Sequence, residues 1–150
     1  MKKIVSLLFA FSLLFSSALA WGDVVDNADI LTDDQEAQIT SRINELRRNN
    51  GQDFAFLSTD DFICFDPVEF GAFYWDQNGF GLGQDYSGVL VYLDMNIRMM
   101  VIITSGQAMA DIPDEKVDAI LDAAMPFLQK GDYCGAVMLA LNMADEYIED

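Results

Sequence analysis

The chain has no histidine, two cysteines, three prolines and eight basic residues against twenty-five acidic ones. Each shortage removes a class of chemistry. Without histidine there is no Ser-His-Asp or Cys-His nucleophile pair, no phosphohistidine step and none of the usual zinc sites. Cys64 and Cys134 stand in no C-x-x-C pair, so no redox centre or cysteine metal knuckle is encoded. In an exported chain they could form a disulfide. They could equally be separate thiols, since free cysteine packs as a small hydrophobe. Cys64 also lacks the C-x5-R context of cysteine phosphatases, because Phe70 stands where Arg is needed, and no D-x-D nucleophile pattern occurs. The shortage of bases gives a formal charge of −17, which repels nucleic-acid phosphates and anionic membrane surfaces and favours cations.

Two of the bases, Lys2 and Lys3, open the chain. An apolar stretch from Ile4 to Phe15 follows, then Ser16, Ser17 and the run Ala18-Leu19-Ala20. That order is a secretory signal peptide with an A-x-A cleavage site, and the stretch is short of the roughly 20 residues a membrane span needs. Residues 1–20 are expected to be removed on export, leaving residues 21–150 as a secreted or extracytoplasmic domain with a formal charge of 6 − 25 = −19. No later apolar run is long enough to cross a bilayer, and the length suits one domain with a real core.

Within that domain, Thr32-Asp33-Asp34-Gln35 is a capping box, Arg47 and Arg48 suit the negative helix end and Gly51 the left-handed stop. Phe54–Leu57 reads as a buried strand, and Asp66-Pro67 opens a second helix that ends before Gly79. Val89–Leu93 is apolar throughout, as a strand covered on both faces is. Met99–Ile103 follows after so short a link that the two form an antiparallel hairpin. Pro113 starts a helix that Pro126 is expected to kink or end early, with Asp111 and Asp114 as its caps. A last helix runs from Tyr133 to Ile148, and Met138 and Met143 are core filler. The expected fold is α/β, a three-layer α/β/α sandwich with a small mixed sheet.

The segment Asp76 to Gly88 carries the most chemistry. Gly79, Gly81 and Gly83 let the backbone turn where side chains would block it. Asp76, Asn78, Asp85 and Ser87 offer hard oxygens, the ligands calcium prefers. The spacing is not an EF-hand, and a helix-to-strand glycine loop without lysine is not a nucleotide fingerprint. Asp26 and Asp29 lie in the entry segment, and Asp60 and Asp61 follow the first buried strand as turn residues.

Five stretches, read together, resemble the TPM-domain family: Val25–Thr32, Phe73–Gly83, Ser87–Val91, Arg98–Gly106 and Gly131–Tyr133. The resemblance implies an α/β/α sandwich. It also implies calcium where the 76–87 loop meets the entry segment, which makes Asp26, Asp29, Asp76, Asn78, Asp85 and Ser87 the expected ligands. Three positions depart from the family pattern: Ser87 replaces Asp or Asn, Asp29 replaces a small residue and Ala108 replaces a glycine. The expected function is a calcium-binding accessory or interaction domain of the cell envelope, acting on an unidentified envelope protein. The alternative, also implied by the resemblance, is a metal-dependent acid phosphatase. Export supplies a direct check: the intact mass of the secreted protein should place Trp21 first, and a mature species that keeps Lys2 and Lys3 would refute the cleavage site.

Overall fold

The computed structural model describes residues 22–149. The signal peptide over residues 1–20 and the Trp21 start lie outside the described residues. The entry segment forms a short strand, β1 (Val24–Asp26), at the edge of the sheet. Helix α1 (Asp33–Asn50) begins as its capping box dictates. The Gln35 backbone N–H donates to Thr32 Oγ1 at 3.3 Å, and the Thr32 N–H donates to Gln35 Oε1 at 2.9 Å. Gly51 closes it at φ 64°. Strand β2 (Asp53–Thr59) is longer than its apolar centre Phe54–Leu57 and is buried along its whole length.

Helix α2 (Pro67–Gln77) starts on Asp66, whose Oδ1 accepts from the Val68 and Glu69 N–H groups. Strands β3 (Gly88–Asp94) and β4 (Met99–Ser105) form the expected antiparallel hairpin. Asp94 shapes its turn by accepting from the Asn96 and Ile97 N–H groups. A short helix, α3 (Gln107–Asp111), follows and was not anticipated. Helix α4 (Asp114–Gln129) runs through Pro126 and stops within a turn of it, so the proline ends the helix rather than breaking it at once. Asp111 does not cap α4; Pro113 occupies the cap position with no side-chain bond, and Asp114 lies in the first turn. Helix α5 (Tyr133–Glu149) completes the chain.

The sheet order is β1-β2-β3-β4, with β1, β2 and β3 parallel and β4 antiparallel. Alternate residues of β2 and β3 feed two cores. Phe54, Phe56, Val89 and Val91 pack with Ile39, Ile43, Ile120 and Leu141 of α1, α4 and α5. Ala55, Leu57, Leu90 and Tyr92 pack with Trp75 and Phe80 on the α2 side. This is a three-layer α/β/α sandwich. The helices joining β1 to β2 and β2 to β3 therefore lie on opposite faces. Since the strands step across the sheet in one direction, the two crossovers have opposite hand, against a right-handed preference of about 98%.

The cysteines are free, Cys64 exposed and Cys134 buried. Burial, reinforced by the Asp132 charge, pushes the Cys134 thiol up from its ordinary value. No described helix is long and apolar enough to cross a membrane.

Gly88, at the start of β3, has no room for a side chain. An added Cβ would meet the Asp53 carbonyl oxygen and stand 2.6 Å from Trp75 Cη2. Both obstacles belong to buried, well-anchored elements. Gly88→Ala should therefore lower the unfolding free energy by about 1–3 kcal/mol, read as a lower urea midpoint at unchanged slope.

Candidate functional site

The strand register sorts the polar residues into two groups at opposite ends of the sheet. Asp53 pairs with Gly88 at one end, while Ser58 pairs with Asp26, and Thr59 with Asp94, at the other. Five residue steps along β2 separate Asp53 from Ser58, about 17 Å at roughly 3.3 Å per residue.

The end where β2 and β3 begin is organised by Asp53, a carboxylate only 6% exposed. Its Oδ1 accepts from Arg47 Nε at 2.8 Å and from the Phe54 N–H, and its Oδ2 accepts from the Gly81 N–H at 2.8 Å. Arg47 also donates to Asp23 at 2.9 Å. The hydrogen bond to Asp23 does most to hold the guanidinium above its ordinary value; burial opposes it and Asp53 adds to it. Ser87, 4% exposed, donates to Gln52 Oε1 at 3.0 Å and accepts from the Ala108 N–H. Gln52 and Gln107 in turn donate to the two oxygens of Asp111. Ser87 thus ties β3 to α3 and has the surroundings of a structural residue.

The loop between α2 and β3 leaves the same end. Gly79, Gly81 and Gly83 all have positive φ, as does Tyr86, and Leu82 and Ser87 pair across the loop's base. Asp76 and Asp85 are exposed, and their carboxylates take no hydrogen bond from the described residues. Asn78 donates from Nδ2 to the Tyr74 carbonyl, which leaves its Oδ1 available.

At the far end, Asp26 is committed to the fold. Its Oδ2 accepts from the Leu31 N–H at 2.8 Å and its Oδ1 from the Ser58 hydroxyl. Ser58 Oγ in turn accepts from the Ala28 N–H. Asp29 is exposed and left-handed at φ 51°. Asp60 and Asp61 are exposed turn residues.

The six expected ligands are therefore not one site. Asp76, Asn78, Asp85 and Ser87 stand at one end of the sheet and Asp26 and Asp29 at the other. Among the described residues, no group of three or more His, Cys, Asp or Glu side chains could hold a metal ion. Of the expected set at the loop end, only Asp76, Asn78 and Asp85 keep side-chain oxygens uncommitted among the described residues, fewer than the roughly 6–8 oxygens that calcium takes. The Asp53–Arg47–Asp23 cluster escaped the sequence reading. Its signal was an acid placed directly before an apolar strand, which calls for a buried partner.

The fold and this polar frame define a three-layer α/β/α domain with a mixed four-stranded sheet and a glycine-rich loop at one end. A family model described as a TPM domain matches residues 24–147, and the chain belongs to the TPM-domain family. Solved structures share the fold. The N-terminal domain of a protein from P. gingivalis is 20% identical, with a TM-score of 0.76, over 88% of this chain and 85% of that one. The N-terminal domain of the cg2496 protein from Corynebacterium glutamicum is 18% identical, with a TM-score of 0.67, over 89% and 84%. The BA42 protein from Bizionia argentinensis is 16% identical, with a TM-score of 0.67, over 79% and 81%. No curated protein matches.

Asp26→Ala removes a charged acceptor from a backbone N–H and a hydroxyl. It should cost about 1.5–3 kcal/mol of stability, measurable by urea unfolding. A change below the error of the midpoint would show that Asp26 does not fasten β1.

Proposed function

We propose that this domain acts outside the cytoplasm as a calcium-binding accessory module of the cell envelope that engages a protein partner, rather than as an enzyme. The observation that carries the reading is the contrast between Asp26 and the loop acids. Asp26 has both carboxylate oxygens committed to the fold, whereas Asp76, in the last turn of α2, and Asp85, in the glycine-rich loop that follows, have no protein partner among the described residues. In a chain of net charge −17, unsatisfied carboxylates beside turning carbonyls favour a hard divalent cation. The partner-binding part is supported by Phe62, Phe65, Val68 and Phe73, which are more than half exposed on and just before α2. Such a cluster is costly to leave in water unless something covers it.

The matched family model carries the name TPM phosphatase, which favours a second reading, metal-dependent phosphoester hydrolysis. One set of samples separates the two. Calcium should raise the melting temperature more than magnesium does, adding about 2.7 kcal/mol of stability when present at 100-fold Kd. Asp76→Ala and Asp85→Ala should remove most of that shift. Asp26→Ala should melt lower but keep it, and Asp33→Ala, at the start of α1, should leave it unchanged. Equal responses from all four variants would reduce the effect to screening of net charge and end the calcium reading. Calcium-stimulated turnover of a generic phosphoester, lost in Asp76→Ala, would replace the accessory role with the enzymatic one.

A further inference from the structure

A cavity lies far from the glycine loop, between the β3–β4 hairpin and helices α4 and α5. Its volume is about 490 Å³, within the range of roughly 300–1,000 Å³ typical of small-molecule sites. We propose that this cleft binds a single-chain amphiphile with one carboxylate head, a long-chain fatty acid.

The walls argue for an alkyl chain. Met95, Met99, Met100 and Met125 line the cleft with Leu121 and Leu128, and no acidic residue joins them. Unbranched, polarizable methionine side chains adapt to flexible apolar ligands better than branched ones do. Met99 and Met125 remain nearly half exposed, so the cleft opens to water and a chain can enter.

The mouth argues for the head. Arg98 is the one cation lining the cleft, with Gln129 as a neutral hydrogen-bonding neighbour. Arg42 and Arg47 are held by carboxylates, but Arg98 forms no salt bridge with any described residue. It is exposed and left-handed, at φ 56°. Glycine or asparagine fills such a turn position with less strain, so the arginine is kept there at some conformational cost. A planar guanidinium matches a carboxylate through two parallel hydrogen bonds. A single unpaired cation suits a singly charged head, which one guanidinium can neutralise.

Calorimetric titration of the purified protein tests the assignment, with chelator present so that no calcium soap forms. Dodecanoate, below its micellar concentration, should bind at one site and more tightly than dodecanol or dodecyltrimethylammonium. Methyl resonances of Met95, Met99, Met100 and Met125 should shift on titration. Arg98→Gln should weaken dodecanoate about tenfold, the loss of one charged hydrogen-bonded contact, and leave dodecanol unchanged. Met125→Trp should block both ligands by filling the cleft from its exposed rim. Circular dichroism should confirm that each variant is folded, and Leu121→Phe offers a second block if Met125→Trp is not. No binding, equal affinity for all three ligands, an Arg98→Gln variant that binds like wild type, or preference for anionic phospholipid vesicles over the free acid would each overturn the proposal.

Discussion

Everything at the loop end of the sheet depends on one buried carboxylate being neutralised. Asp53 opens the central strand β2, where water cannot solvate it, and a lone charge there would cost several kcal/mol. Arg47, in the last turn of α1, supplies the counter-charge, and the Gly81 N–H supplies a further donor. The same guanidinium holds Asp23, just before β1. One ion cluster thereby fixes how α1 meets β2, where β1 lies along the sheet edge, and where the glycine loop is anchored. Replacing any one member leaves the others charged and partly buried. The cluster's contribution is therefore mainly to make alternative arrangements expensive.

That anchoring separates two kinds of acidic residue. Asp26, Asp53, Asp94 and Asp111 are spent on backbone and side-chain donors inside the domain. Asp76 and Asp85 are left facing water. Composition alone cannot make this distinction, because all six look alike in a strongly acidic chain. Hydrogen-bond saturation makes it: a carboxylate already satisfied by the protein loses those bonds if it turns toward a metal, and an unsatisfied one gains by doing so.

The fold was legible in the sequence wherever a local rule acts alone. The Thr32–Gln35 capping box, the Gly51 stop, the Asp66-Pro67 helix start and the apolar run Val89–Leu93 each determine a neighbour within a few residues, and each appears in the structure as read. β1 was missed because three residues at a sheet edge carry too short a pattern, and its pairing is set by Ser58, more than thirty residues away. The helix α3 was missed because its fixing contacts come from Ser87 and Gln52. The candidate site was legible only as a set of oxygen-bearing residues. The loop and its donors were found, but joining them to Asp26 and Asp29 required knowing which end of a parallel strand each segment occupies. That is a matter of register, which no short motif records.

The glycine-rich loop has a geometric duty as well. The connections on either side of α1 span only 27–32 and 51–52, while those on either side of α2 span 60–66 and 78–87. The extra chain is all on the α2 crossover. Gly79, Gly81 and Gly83, at positive φ, fold that extra length compactly before Gly88 enters β3 against Trp75. The loop is thus first a measure of path length, and its capacity to expose oxygen ligands follows from how a chain must coil to store that length. Shortening it would be felt in the pairing of β2 with β3 before it was felt by any bound ion.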